Sequence, residues 1–124
     1  MINLYTLINS QIENICSCFV DHYPEDEDKV YPYVEIKFPN ILPHNSYWEN
    51  VLMEIEVWDN KGTDIREIEG LVDLIDSKLK NLRYNDSFFN VSIQRNTPYR
   101  LSLPDPEIHI QRRQLRYIAT VYSK

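Results

Sequence analysis

Few residues in this 124-residue chain have both the type and the spacing to do chemistry. Glu35-Ile36-Lys37 lies on an alternating stretch behind the acidic run Glu25-Asp26-Glu27-Asp28. In such an arrangement carboxylates can hold a divalent ion while a lysine positions an attacking water, the chemistry of a metal-dependent nuclease. On an amphipathic strand, however, Glu and Lys two residues apart also make an ordinary solvated face. Glu54 and Glu56 repeat the ambiguity: they share one side of a strand and could bind an ion, but no third ligand accompanies them. The histidines His22, His44 and His109 are scattered without metal-ligand spacing, and two glycines exclude a glycine-rich phosphate loop. Cys16 and Cys18 read as helical positions pointing to nearly opposite sides, able neither to pair nor to share a metal. No catalytic, cofactor or metal residue is therefore assigned, and the chain is expected not to be an enzyme; as an alternative, a nuclease using Glu35 and Lys37 ranks behind an adaptor or interaction module of another kind.

Charge distribution says more than any motif. Residues 1–62 carry three basic and eleven acidic groups, net −8, and residues 63–124 carry ten and eight, net +2, which together give the net −6 of the chain. Arg95, Arg100, Arg112, Arg113 and Arg116 concentrate near the C-terminus. A sequence pI of about 5.0 argues against general nucleic-acid affinity, so an acidic partner is expected. If that partner is another copy, unlike halves favour a head-to-tail contact. Nine tyrosines and two tryptophans suit such an interface, with Tyr31, Tyr33 and Trp48 as candidates beside Arg100, Arg112, Arg113 and Arg116. Arg112 and Arg113 are the first choice, and reversing their charge should leave folding intact.

The elements that must position these groups follow from periodicity. Leu4, Leu7, Ile8, Ile12, Ile15 and Phe19 recur at helical spacing, predicting a first amphipathic helix that ends near Asp21–Tyr23, before Pro24. Strands are predicted over Tyr31–Pro39 and through Val51–Val57, then a helix from Thr63 or Asp64 with Ile68, Val72, Ile75 and Leu79 on its inner face and Arg66, Glu67, Glu69, Asp73, Asp76, Lys78 and Lys80 outside. Phe89–Ile93 and Leu115–Val121 complete the set, the last with apolar groups on both faces and so central. Ile108 and Ile110 fall out of phase with Leu115–Val121, which calls for a bulge near Gln111–Gln114. The proline-bearing segments 39–48 and 96–107 read as projections. The expected fold is α+β: one domain over 1–124 with a mixed, mainly antiparallel sheet, two amphipathic helices on one face, and the order α-β-β-α-β-β. The first residues, Met-Ile-Asn-Leu-Tyr, lack a basic leader pattern, and no apolar run reaches a membrane span.

This order of elements, with Tyr31-Pro32-Tyr33-Val34-Glu35-Ile36, Glu56-Val57-Trp58-Asp59-Asn60 and Ile110-Gln111-Arg112-Arg113-Gln114-Leu115-Arg116-Tyr117, resembles the tail-terminator (tail-completion, tail-to-head joining) proteins of long-tailed bacteriophages. The resemblance spans nearly the whole chain, and other small head-tail adaptors share much of the plan. It implies a structural virion protein, assembled in the bacterial host cytoplasm and located in the virion tail, forming a hexameric ring. That ring would cap the tail-tube protein, stop its polymerisation and join the tail to the head connector. DNA would pass through without specific binding, past a lumen for which Glu54 and Glu56 are candidate lining residues.

Overall fold

The computed structural model describes residues 2–43 and 48–123, without the side chain of Pro43. Its first helix, α1 (Ile2–Ile12), buries Leu4, Leu7, Ile8 and Ile12 along one face. It is shorter than the periodicity predicts. The N–H groups of Ile15 and Cys16 both donate to the Ile12 carbonyl and close the helix in a turn, and the chain then enters a short strand, β1 (Ser17–Val20). Ile15 and Phe19 match helical spacing by coincidence, because a short apolar run satisfies both periods and Cys-Phe-Val favours strand. Cys16 and Cys18 thus stand in a turn and on a strand, as free thiols. Burial, the largest cause for each, pushes their pKa values up to about 11 and about 12, which leaves little thiolate to react.

The remaining elements are β2 (Tyr33–Pro43), β3 (Trp48–Asp59), α2 (Arg66–Leu79), β4 (Arg83–Asn85), β5 (Phe89–Leu103) and β6 (Gln111–Ser123). They form one six-stranded sheet in the order β1-β2-β3-β6-β5-β4. Only the β1–β2 pair is parallel. The fold is α+β, with both helices on one face of a curled half-barrel. Two short edge strands, β1 and β4, are added to the expected order. β6 lies between β3 and β5, as its two apolar faces require. Among the described residues no helix is long and apolar enough to cross a membrane.

Ile36, Ile55 and Leu115 stand side by side on β2, β3 and β6, fully buried with Ile8 and Ile12 of α1 and Ile68, Val72, Ile75 and Leu79 of α2. Burying each such side chain contributes about 1.5–3 kcal/mol. Neither Thr63 nor Asp64 takes the cap position of α2, which falls on Ile65 without a side-chain cap; Asp64, one residue earlier, accepts the Arg66 N–H, and Asn81, at φ 60, turns the chain after the helix. Among the described residues, only there and at Asp21 does a non-glycine residue adopt the left-handed region.

Where the phase argument placed a bulge at Gln111–Gln114, β3 and β6 pair without a register shift from Trp48↔Tyr122 to Asp59↔Gln111. The mismatch is absorbed before the strand: Ile108 is exposed in a loop, and Ile110 tucks in through its N–H to the Glu107 carbonyl. The irregularities lie elsewhere, between Lys37 and Asn40 in β2 and between Arg95 and Arg100 in β5. Most of the two proline-bearing segments is strand: β2 pairs with β3 out to Pro43↔Glu49, and β5 continues to Leu103. Residues 44–47 lie outside the described part. Pro39 and Pro98 sit where no strand covers the outer side, since β1 pairs only with Tyr33–Ile36 and β4 only with Asn90–Ser92. A residue without an N–H is tolerated at such edges.

Candidate functional site

Alternation along the strands sends one set of side chains to the helices and the other to the uncovered face of the sheet. On that face Tyr33, Trp58 and Arg112 are direct cross-strand neighbours. Tyr33 and Trp58 stack at 5.6 Å, and the Arg112 guanidinium sits 4.0 Å over the indole, with the Lys29 ammonium 5.5 Å from it. The loop after β1 closes over this row: Tyr23 packs on Phe19 and Tyr33, donates its N–H to Glu35 and its hydroxyl to the Asp28 carbonyl. Tyr33, a candidate for partner contact, is fully buried, and burial holds its phenol well above its ordinary pKa. Tyr31 is half-buried against it at 5.3 Å. A cleft of about 430 Å³ remains between Tyr23, Lys29, Glu35 and Trp58.

Next to the aromatic row, Glu35 and Glu56 face each other across β2 and β3, both buried. Lys37 joins them, 3.1 Å from Glu56 and 3.7 Å from Glu35, while Gln114 donates to Glu56 and Arg112 lies 3.8 Å away. Burial works against the charge of Lys37, but its bond to Glu56 and the two carboxylates outweigh it and raise its pKa. The pair proposed for metal chemistry is thus engaged in a structural ion cluster, and among the described residues no three His, Cys, Asp or Glu side chains gather to hold a metal. Glu54 lies opposite both Lys37 and Arg116. Three carboxylates on this face, Glu35, Glu54 and Glu56, therefore meet three cations, Lys37, Arg112 and Arg116. Glu56 is shielded within the cluster and Glu54 is partly exposed.

The C-terminal arginines divide between the two faces. Arg113 points to the helix side, where it is buried and its Nε donates to Glu69 at 2.7 Å. Arg100 binds Glu69 and Asp73, and Arg95 binds Asp76, which also accepts the Tyr117 hydroxyl at 2.7 Å. These bonds fasten α2 to β5 and β6. Bonding to Arg113, aided by Arg100, holds the Glu69 carboxyl below its usual range despite burial. Arg113 is consequently an internal strut: Arg113→Ala is expected to lower stability by about 2 kcal/mol, read from chemical denaturation, because Glu69 loses one of its two guanidinium partners but keeps Arg100 and partial solvent access. Charge reversal there would damage folding, contrary to the expectation drawn from the sequence.

No protein-family model and no curated protein matches this chain.

Of the sequence candidates, the structure brings Tyr31, Tyr33 and Arg112 together at one end of the uncovered face, and puts Arg116 midway along it. Trp48 lies at the other end, stacked on Tyr122 at 5.9 Å, near the exposed Ile41 and Leu42. Reading α2's acids as outward-facing missed Glu69 and Asp76. A signal was available: they lie seven residues apart, two helical turns, on the flank of the apolar stripe, in a chain with unusually many arginines in the strands behind. The exposed Lys78, Lys80 and Arg83 form no motif, so the sequence alone predicts no role for them.

Proposed function

We propose that this chain is a structural ring subunit of a phage-type tail: about six copies cap the tail tube, stop its growth and present their other side to the head connector. The observation that carries the reading is the uncovered face of the curled sheet. Helices cover only one side of the sheet, and beyond the Tyr23–Lys29 loop over the Tyr33–Trp58 end the other side carries no layer, so copies arranged about an axis can turn it inward as a channel wall. The wall offered is charge-balanced, with Glu54 opposed by Lys37 and Arg116. Such a surface neither grips phosphates nor repels them strongly, which suits DNA that must pass. The family resemblance of the element order and of the segments Tyr31–Ile36 and Ile110–Tyr117 supplies the partners: the tail-tube protein, the head connector, and a virion-tail location reached after assembly in the host cytoplasm. No reaction is assigned.

Coexpression with a phage tail-tube protein tests the reading. The expected result is co-purification and, by electron microscopy, tubes of limited length closed at one end by a ring. A chain that stays strictly monomeric with tube protein present, and leaves tube length unchanged, overturns it.

A further inference from the structure

The strand order puts β1 and β4 at opposite edges of the sheet. Neither contains a proline. The uncovered stretches of β2 and β5, by contrast, carry Pro39 and Pro98 and a register shift each. Prolines and irregular pairing are devices that keep an edge from adding a strand. The fold guards its long uncovered edges and leaves the two short terminal strands open.

Those open edges are oppositely charged. The chain leaving β1 carries Asp21 and then, in the loop that folds back beside Phe19 over the Tyr33–Trp58 end of the sheet, Glu25–Asp28, all exposed, with Lys29 the one lysine among them. Approaching β4 from α2, the chain carries Lys78 and Lys80, and β4 itself begins with Arg83; all three are exposed. Arg95, Arg100 and Arg113 are tied to α2, whereas these three are held in no ion pair among the described residues. Each edge also shows an apolar side chain to solvent, Val20 on β1 and Tyr84 on β4.

We infer that the β1 edge of one copy docks on the β4 edge of the next, its acidic loop lying against Lys78, Lys80 and Arg83. The inference rests on the ring reading and names its subunit contact. A contact between different patches on identical chains is head-to-tail and closes into a ring when the rotation permits. Three- and four-residue strands offer few backbone bonds, so charge selects the partner and the contact weakens with salt. Arg112 and Arg113 take no part.

A charge swap tests it. Lys80→Glu with Arg83→Glu makes both edges acidic, and Glu25→Lys with Glu27→Lys and Asp28→Lys in a second variant makes both basic; all five positions are exposed, so wild-type melting is expected of each. Assembly is followed by light scattering on the full chain, free and with tail-tube protein. Alone, each variant should assemble with a dissociation constant raised roughly tenfold or more. Mixed, the two should alternate and recover assembly. Variants that assemble like wild type, or a mixture that does not recover, overturn this contact and leave the ring reading standing. A wild-type chain monomeric under both conditions overturns both.

Discussion

Ile55→Asp is expected to abolish the cooperative fold, leaving no thermal transition and an exchange-labile backbone at temperatures where the wild type is native. Ile55 lies at the middle of β3, fully buried, with Ile36 on one side and Leu115 on the other. An aspartate there would lie among apolar groups, and the core-side guanidinium two residues along β6, Arg113, is already bound to Glu69. Isolated polar groups cost several kcal/mol to bury and charges more, so the carboxyl would stay protonated or the strand would open. Loss of the isoleucine's own burial adds about 2–5 kcal/mol. A domain of this size has about 5–15 kcal/mol in hand. Circular dichroism on melting decides the matter: a transition within a few degrees of wild type would mean that β3 presents the other face to the helices. The neighbouring Glu54→Ala, on the uncovered face, should melt almost unchanged.

That contrast marks what the sequence made legible. Strict alternation in Val51–Val57 and the three-and-four spacing of Ile68–Leu79 identify their inner faces because each pattern fits only one period. The stretch from Ile12 to Val20 fits two, and so the turn at Ile12 and the strand β1 were absorbed into a helix. Arg95–Leu103 hides its strand for a different reason: a register shift at Pro98 breaks the alternation, though pairing with β6 resumes. The site was harder to read. Helix periodicity separates apolar from polar positions but cannot tell a solvated carboxylate from one receiving a guanidinium, since that depends on which strand lies opposite. Glu69 and Asp76 therefore looked external, and Arg113 looked free. Charge summed over halves of the sequence was a true signal with a wrong address: most of the C-terminal arginine charge is spent inside the subunit, and the free positive edge belongs to Lys78, Lys80 and Arg83.

Removal of the Asp76 carboxylate should have the second-largest effect and a distinctive pH signature. Asp76 is buried, accepts the Tyr117 hydroxyl and binds Arg95. Asp76→Ala strands the Tyr117 hydroxyl without an acceptor in the core, an expected loss of about 2–4 kcal/mol. Asp76→Asn should recover part of it, because the amide oxygen still accepts from Tyr117. Burial works to raise the carboxyl's pKa, but the bonds from Arg95 and Tyr117 prevail and lower it. With the folded pKa below the unfolded value of about 3.9, the group stabilises the native state above that value, and the contribution fades as pH falls through the folded pKa. Tyr117 gives the opposite limb. Burial first, then its bond to Asp76, hold the phenol neutral far above its ordinary pKa, so its contribution is complete below about pH 10 and drains away as the unfolded chain ionises above it. Wild-type stability, measured by urea denaturation across pH, should thus fall at both ends of the range. Asp76→Ala should flatten the acid limb to the part owed to Glu69 and Asp64, whose carboxyls are also lowered by their arginine partners. An acid limb as steep in Asp76→Ala as in wild type would mean that other carboxylates carry it and that the Tyr117–Asp76–Arg95 link is incidental to stability.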